Sequence, residues 1–305
     1  MTVVLSLLTQ VLHIALMLAA APTLAGAVSW LEARLSGRAG PPILAPWHDL
    51  VRLSRKTPIS EDNVSAAASL APAFALGATL SAAALVPSFT LGMAMAPLAD
   101  VLVIVSLLAA ARAAAALAAL DSGAARPGLA AQIASARAVL AEPAMMLAVV
   151  ALGLIDGSFN LDLIVGQQRE GLLLPAAASA VALTAMLALL FAEASGDGAA
   201  LDQMQAGTGL ALSRITVWLR RLVWIDLLGS MFVPVGMATA DSAPLALLTG
   251  LAAWAVKLAA IAGGLSVVLT RLGKVPGHSL PDLLGVAALL ALLATIMVLA
   301  GSGTA

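Results

Sequence analysis

The sequence contains no cysteine and no tyrosine, only five tryptophans, five phenylalanines and three histidines, and just 10% of its 305 residues are charged. Without cysteine there are no disulfides, no thiolate-held iron–sulfur cluster, no Cys-ligated zinc and no thiol nucleophile. The histidines, His13, His48 and His278, are scattered. They suit neither an all-histidine metal or haem site nor a catalytic base with an adjacent nucleophile. A formal net charge of −1 leaves no surplus of Lys and Arg to neutralise phosphates, which argues against a nucleic-acid partner. Charge is also too sparse for a water-soluble surface. Fifteen basic and 16 acidic residues would have to cover a chain that is 62% hydrophobic, against roughly 45–50% apolar and 25% charged in an ordinary soluble domain. With a mean hydropathy of +1.05 the chain reads as an integral membrane protein.

Long apolar runs are what the sequence has in abundance. A helix needs about 20 apolar residues to cross a hydrocarbon core, and eight runs approach that length. They are Val3 to Trp30, Ser65 to Val86, Pro97 to Leu120, Ala138 to Ile155, Leu172 to Ala194, Val223 to Met237, Pro244 to Leu269 and Leu283 to Ala300. The expected fold is a single all-α polytopic membrane domain over 1–305 with about eight transmembrane helices. Positive residues in short loops are retained in the cytoplasm. Arg34, Arg38, Arg52, Arg55, Lys56, Arg126, Arg137, Arg214, Arg220, Arg221, Arg271 and Lys274 all fall on one side, with only Arg169 opposite. Both termini are therefore expected on the outer, periplasmic side. No Lys or Arg precedes the first run, and the run is too long for a signal-peptide core, so it is read as a span.

Ionisable groups inside a span cost roughly 2.5–3.5 kcal/mol each at the helix centre, so those that persist usually face protein or water. Here they are Asp100 and Arg112 in the third span, Glu142 in the fourth, Glu193 in the fifth and Lys257 in the middle of the seventh. Static ion pairing or snorkelling at helix ends is the plain reading; a charge pathway is the functional one. The other informative segment is 31–64, a basic, Gly/Pro-turned cytoplasmic loop with a short amphipathic helix. It carries Arg34, Arg38, Gly40-Pro41-Pro42, Asp49 and Arg52. Such a loop suits docking to a cytoplasmic protein, or binding of lipid phosphates by its arginines.

The run Ala33-Arg34-Leu35, Gly37-Arg38, Gly40-Pro41 and Asp49-Leu-Val-Arg52-Leu resembles the first cytoplasmic loop of the respiratory complex I subunit 1 family. It is most similar to the branch found in membrane-bound [NiFe] hydrogenases such as formate hydrogenlyase. Asp100 with Arg112, Leu120-Asp121-Ser-Gly123, Glu142-Pro143, Phe191-Ala-Glu193, Arg220, Phe232-Val-Pro234 and Lys257 extend the resemblance along the chain. It implies a multi-pass subunit of a bacterial or archaeal inner membrane, linking a soluble electron-transfer arm to antiporter-like membrane subunits. Asp100, Arg112, Glu142, Glu193 and Lys257 would form its proton relay and coupling set, and Arg34, Arg38, Asp49 and Arg52 its docking surface. The [NiFe] and iron–sulfur centres would sit in hydrogenase-like or dehydrogenase-like partner subunits, with no catalytic residue on this chain.

The departures bear on quinone, which members of the family that reduce it hold in a tunnel. The family follows its Phe-x-Glu with alternating glutamates, whereas here Glu193-Ala-Ser-Gly-Asp197 leads into a nearly neutral stretch. Arg137 stands one helical turn later than the family's arginine, with no acid after it. Both count against a quinone site. The alternative function is a stand-alone secondary transporter with a midplane charged site, though no internal repeat supports it. A membrane-embedded hydrolase would need a nucleophile–base pair that the sequence lacks.

Overall fold

In a computed structural model the chain is described over residues 2–56, 65–121, 123, 125–170, 177–195, 206–240, 242–273 and 279–302. Its helices are α1 (Thr2–Leu35), α2 (Ala45–Ser54), α3 (Ala66–Leu85), α4 (Val101–Asp121), α5 (Ala125–Asp156), α6 (Leu161–Glu170), α7 (Ala177–Ser195), α8 (Gly207–Phe232), α9 (Pro244–Leu272) and α10 (Leu280–Ser302). Two short strands, β1 (Thr90–Leu91) and β2 (Ala238–Thr239), pair in parallel. Seven of the described helices, α1, α3, α4, α5, α7, α9 and α10, are long and apolar enough to cross a bilayer. Their outward faces carry large apolar side chains such as Val139 (70% exposed) and Leu245 (73% exposed), a surface that only lipid or another subunit makes favourable. The protein is thus a multi-pass membrane protein.

Small residues set the helix spacing, because lipid tails are as apolar as leucine and association then rests on close packing. Ala144, Ala148 and Ala151 on α5 and Ala287, Ala291 and Ala294 on α10 are stripes of identical spacing, and all six are fully buried. Thr295 Oγ1 on α10 donates to the Leu147 carbonyl of α5 across this pair.

The sixth run departs most from expectation. Instead of Val223 to Met237, α8 starts at Gly207 and stops at Phe232, so Arg214, Arg220 and Arg221 lie in a helix rather than a loop. These arginines, with Asp226, keep α8 from qualifying as a lipid-facing span by composition. It packs instead among α1, α2, α3, α6, α7 and α9, with every residue from Leu222 to Phe232 buried. Protein on all sides is what lets it carry charge. The other runs differ at their ends; α5 reaches back to Ala125, so that Arg126 and Arg137 are helical too.

Between α5 and α7 lies an amphipathic helix, α6, absent from the sequence reading. Asn160 Oδ1 caps it by accepting from the N–H groups of Asp162 and Leu163, and Leu161, Ile164 and Val165 are buried. Asp162 accepts from the Gly92 N–H at 3.1 Å, tying α6 to the β1 segment. Burial raises the Asp162 carboxyl above the ordinary carboxylate range, and the Gly92 bond opposes that rise. β1 pairs with β2 in the register Thr90–Ala238 and Leu91–Thr239, joining the connections α3–α4 and α8–α9. Gly250 admits this ribbon: a Cβ there would stand 2.6 Å from the Phe89 carbonyl oxygen.

The last carbonyls of a helix have no intrahelical partner, and in a bilayer no water reaches them. Polar residues of α1 satisfy those of α3. Gln10 Nε2 donates to Ala84 O at 2.9 Å, while its Oε1 accepts from the Met95 N–H. His13 Nε2 lies 2.9 Å from Ala83 O and therefore donates, which leaves Nδ1 to accept from Ser88 Oγ at 2.7 Å. His13 is a neutral structural histidine with both ring nitrogens used. His13→Leu, which keeps bulk but abandons both partners, should lower stability by roughly 1–3 kcal/mol. Tryptophan-fluorescence unfolding in detergent measures this; an unchanged midpoint would show that the α3 terminus needs no clamp.

Candidate intramembrane charge cluster

Three of the five predicted pathway residues meet. Arg112 of α4 spreads its guanidinium between two acids, with Nη1 3.5 Å from Glu193 Oε2 on α7 and Nη2 3.5 Å from Glu142 Oε1 on α5. Glu193 is held from its other side by Arg220 of α8, whose Nε donates to Oε1 at 2.5 Å. Four helices thus converge on one alternating chain, Glu142–Arg112–Glu193–Arg220. Arg112, Glu193 and Arg220 are only 14–16% exposed, and Glu142, at 30%, is the wettest. In a medium of low effective dielectric such pairs attract strongly, and each is also costly to leave unmatched.

A cavity of about 300 Å³ adjoins the chain, walled by α4, α5, α7, α8 and the start of α10. All four members of the chain line it, and Arg137, Arg221 and Trp224 join them. Arg137, one turn late in the sequence pattern, still reaches this space.

Lys257 and Asp100 are elsewhere. Lys257 Nζ on α9 donates to the Val233 carbonyl at 3.3 Å, just past the last turn of α8, where the helix dipole is negative. Its charge also acts on Asp226, a residue that the sequence reading missed. Asp226 is buried at mid-α8, where Oδ1 accepts from Trp254 Nε1 at 2.7 Å while Oδ2 has no partner. A single acid inside an apolar run was the available signal. Asp100 sits at the start of α4, where Oδ1 caps Leu102 N at 2.8 Å. Twelve residues separate it from Arg112, roughly 18 Å along the helix.

The loop residues form a separate exposed group. Arg34 stacks over Trp30, 5.3 Å from the ring centroid. Asp49 bonds Arg52 at 2.9 Å and pairs with Arg214 of α8 at 3.6 Å, which fastens α2 to the central helix. Arg38 is exposed at the turn. The loop folds back on α1 because Gly26 admits it: a Cβ there would be 1.9 Å from Ile43 O. Positions 57–64 of the predicted loop, and His278, lie outside the described residues.

A family profile described as NADH dehydrogenase matches residues 8–200, which include the basic loop, Arg112, Glu142 and Glu193. The chain belongs to the NADH dehydrogenase family, the complex I subunit 1 family. Among curated relatives of this family member, Hydrogenase-4 component C of Escherichia coli (strain K12) is 26% identical over 234 residues, 71% of this chain and 72% of that protein. Formate hydrogenlyase subunit 4 of the same organism is 26% identical over 242 residues, 76% of this chain and 79% of that one. The fold is shared with a chain of the membrane-bound sulfane sulfur reductase, an archaeal respiratory membrane complex. The TM-score is 0.77, with 19% identity over 95% of this chain and 98% of that one.

Because Glu193 serves two arginines, its loss and theirs are coupled. Glu193→Gln and Arg220→Gln should each destabilise the protein, and the double variant should recover about 1–3 kcal/mol relative to their sum. A double-mutant cycle on unfolding midpoints reads this directly, and strict additivity would mean the pair is idle.

Proposed function

We propose that this family member is the membrane-anchoring and coupling subunit of a complex I-like or [NiFe]-hydrogenase-like redox assembly in a prokaryotic inner membrane. It joins a soluble electron-transfer arm to antiporter-like membrane subunits. The observation that carries this reading is the buried chain Glu142–Arg112–Glu193–Arg220 beside a cavity. Two acids and two bases gathered among four packed helices are costly for an inert anchor and suited to moving charge. The names of the two E. coli relatives support the assembly.

In this reading α8 is the eighth crossing, both termini are periplasmic, and the charge cluster lies toward the cytoplasmic side. Glu142, the most exposed member, takes up protons, and Glu193 between its arginines responds to charge movement in the arm. Asp226 and Lys257 extend the series along α8, with Asp100 at the outer end of α4. The loop residues Arg34, Arg38, Asp49 and Arg52 bind the soluble arm. The [NiFe] and iron–sulfur centres belong to partner subunits. The chain has no cysteine with which to hold an iron–sulfur or [NiFe] centre.

The test is affinity purification of the tagged chain in mild detergent, with mass spectrometry of what stays bound. A hydrogenase-like or dehydrogenase-like subunit with antiporter-like proteins is expected; a monodisperse chain without stoichiometric partners would overturn the assembly. Within the complex, Lys257→Ala should cut ion-coupled activity severalfold with subunit composition unchanged. Arg38→Ala should release the soluble arm while leaving the membrane subunits together. Asp49→Ala should do the same, since it also frees α2 from Arg214. Normal coupled activity in Lys257→Ala would leave the chain an anchor only.

A further inference from the structure

The cavity beside the charge cluster contains more positive charge and more N–H donors than its own residues answer. Arg112, Arg137, Arg220 and Arg221 line it against Glu142 and Glu193, and Glu32 of α1 acts on Arg221 from outside the lining, which still leaves a net positive charge. Four buried donors on its walls have no hydrogen-bond acceptor: Arg112 Nε, Arg112 Nη2, Arg137 Nε and Trp224 Nε1. Nη2 of Arg112 does face Glu142, but at 3.5 Å the contact is electrostatic and not a hydrogen bond.

Unanswered donors that come from three helices and carry net positive charge select a ligand by its chemistry. It must be negative, rich in acceptors and able to accept from several directions. A tetrahedral phosphate meets all three requirements, and arginine's planar fork matches its oxygens. The volume of about 300 Å³ leaves room for more than a bare anion. On α5, moreover, the lining includes Ser135 and Val139, both exposed, and Val139 belongs to the apolar outer face that suits lipid or another subunit. An entrance beside such a residue is open to a headgroup whose acyl chains stay outside.

We propose that this cavity binds a phosphate group, between Arg137 and the unpaired edge of Arg112 with Trp224 Nε1 as a further donor. The phosphate is carried by an anionic phospholipid headgroup or is free in solution. Arg112 is shared with the charge chain, Arg137 and Trp224 are not used by the coupling proposal, and the site stands whether or not protons move.

The experiment takes the tagged chain with whatever complex it retains and reconstitutes it in two ways. One sample is in nanodiscs of phosphatidylcholine doped with phosphatidylglycerol; the other is in phosphatidylcholine alone with inorganic phosphate. Phosphatidylglycerol surviving re-extraction is counted by mass spectrometry, and phosphate binding is measured by calorimetry. Retained phosphatidylglycerol identifies a lipid headgroup, and binding of inorganic phosphate alone identifies a free anion. In either case Arg137→Gln should lower binding about tenfold, the loss of one bond to a charged group. Arg137→Lys, which keeps the charge but not the planar fork, should restore only part of it. Ser135→Phe, which narrows the entrance at an exposed position, should give the same loss without touching a donor. Arg126→Gln removes a cation from the same helix outside the cavity and should change nothing. No binding of either probe to wild type would overturn the proposal. So would equal losses in Arg126→Gln and Arg137→Gln, which would mean that only the general surface charge attracts the anion.

Discussion

One carboxylate between two guanidiniums governs how this membrane domain is put together. Glu193 cannot face lipid, and neither can Arg112 or Arg220, so α4, α7 and α8 must present one face each to a common point. Glu142 then brings in α5 from the far side of Arg112. The alanine stripes let helices approach closely, but a stripe of small residues permits more than one register. The ion pairs choose among them, because sliding α8 by a single turn, about 5.4 Å, would leave an unmatched charge in a water-poor interior.

The same constraint explains why α8 is central. A helix with three arginines and an aspartate is a poor lipid neighbour, yet it holds the most continuous buried stretch in the protein. Enclosure by other helices resolves the conflict, supplying Glu193 to Arg220, Trp254 to Asp226 and Asp49 to Arg214. The α3 terminus follows the same rule on a smaller scale, where Gln10 and His13 satisfy carbonyls that no water could reach. In each case a polar residue in an apolar run marks where protein, and not lipid, is the neighbour.

That rule also separates what was legible in the sequence from what was not. Seven crossings and the presence of Arg112, Glu142 and Glu193 inside them could be read, because hydropathy and isolated charge are local signals, whereas which of the charges pair could not. The true extent of α8 could not, since its arginines look like a cytoplasmic loop until Glu193 is seen beside them. Asp226 was passed over for the same reason: its partners Trp254 and Lys257 are remote in sequence. Helix α6 has too short an apolar face to register as a span, and two-residue strands leave no periodicity to detect. Lys257 was found but not its surroundings, which depend on where α8 ends.

The two charge centres share α8 as their common part. Arg220 anchors it to the cluster on α4, α5 and α7; Asp226 and the Val233 carbonyl anchor it to Trp254 and Lys257 on α9. From Arg220 to Asp226 is six residues, roughly 9 Å of rigid helix, with Trp224 between them. A displacement of α8 that loosens Arg220 from Glu193 therefore also moves Asp226 relative to Trp254 and shifts the carbonyl that Lys257 holds. Neither centre can change its pairing alone. In the proposed coupling role, a charge arriving near Glu193 would be felt at Lys257 through the stiffness of this one helix.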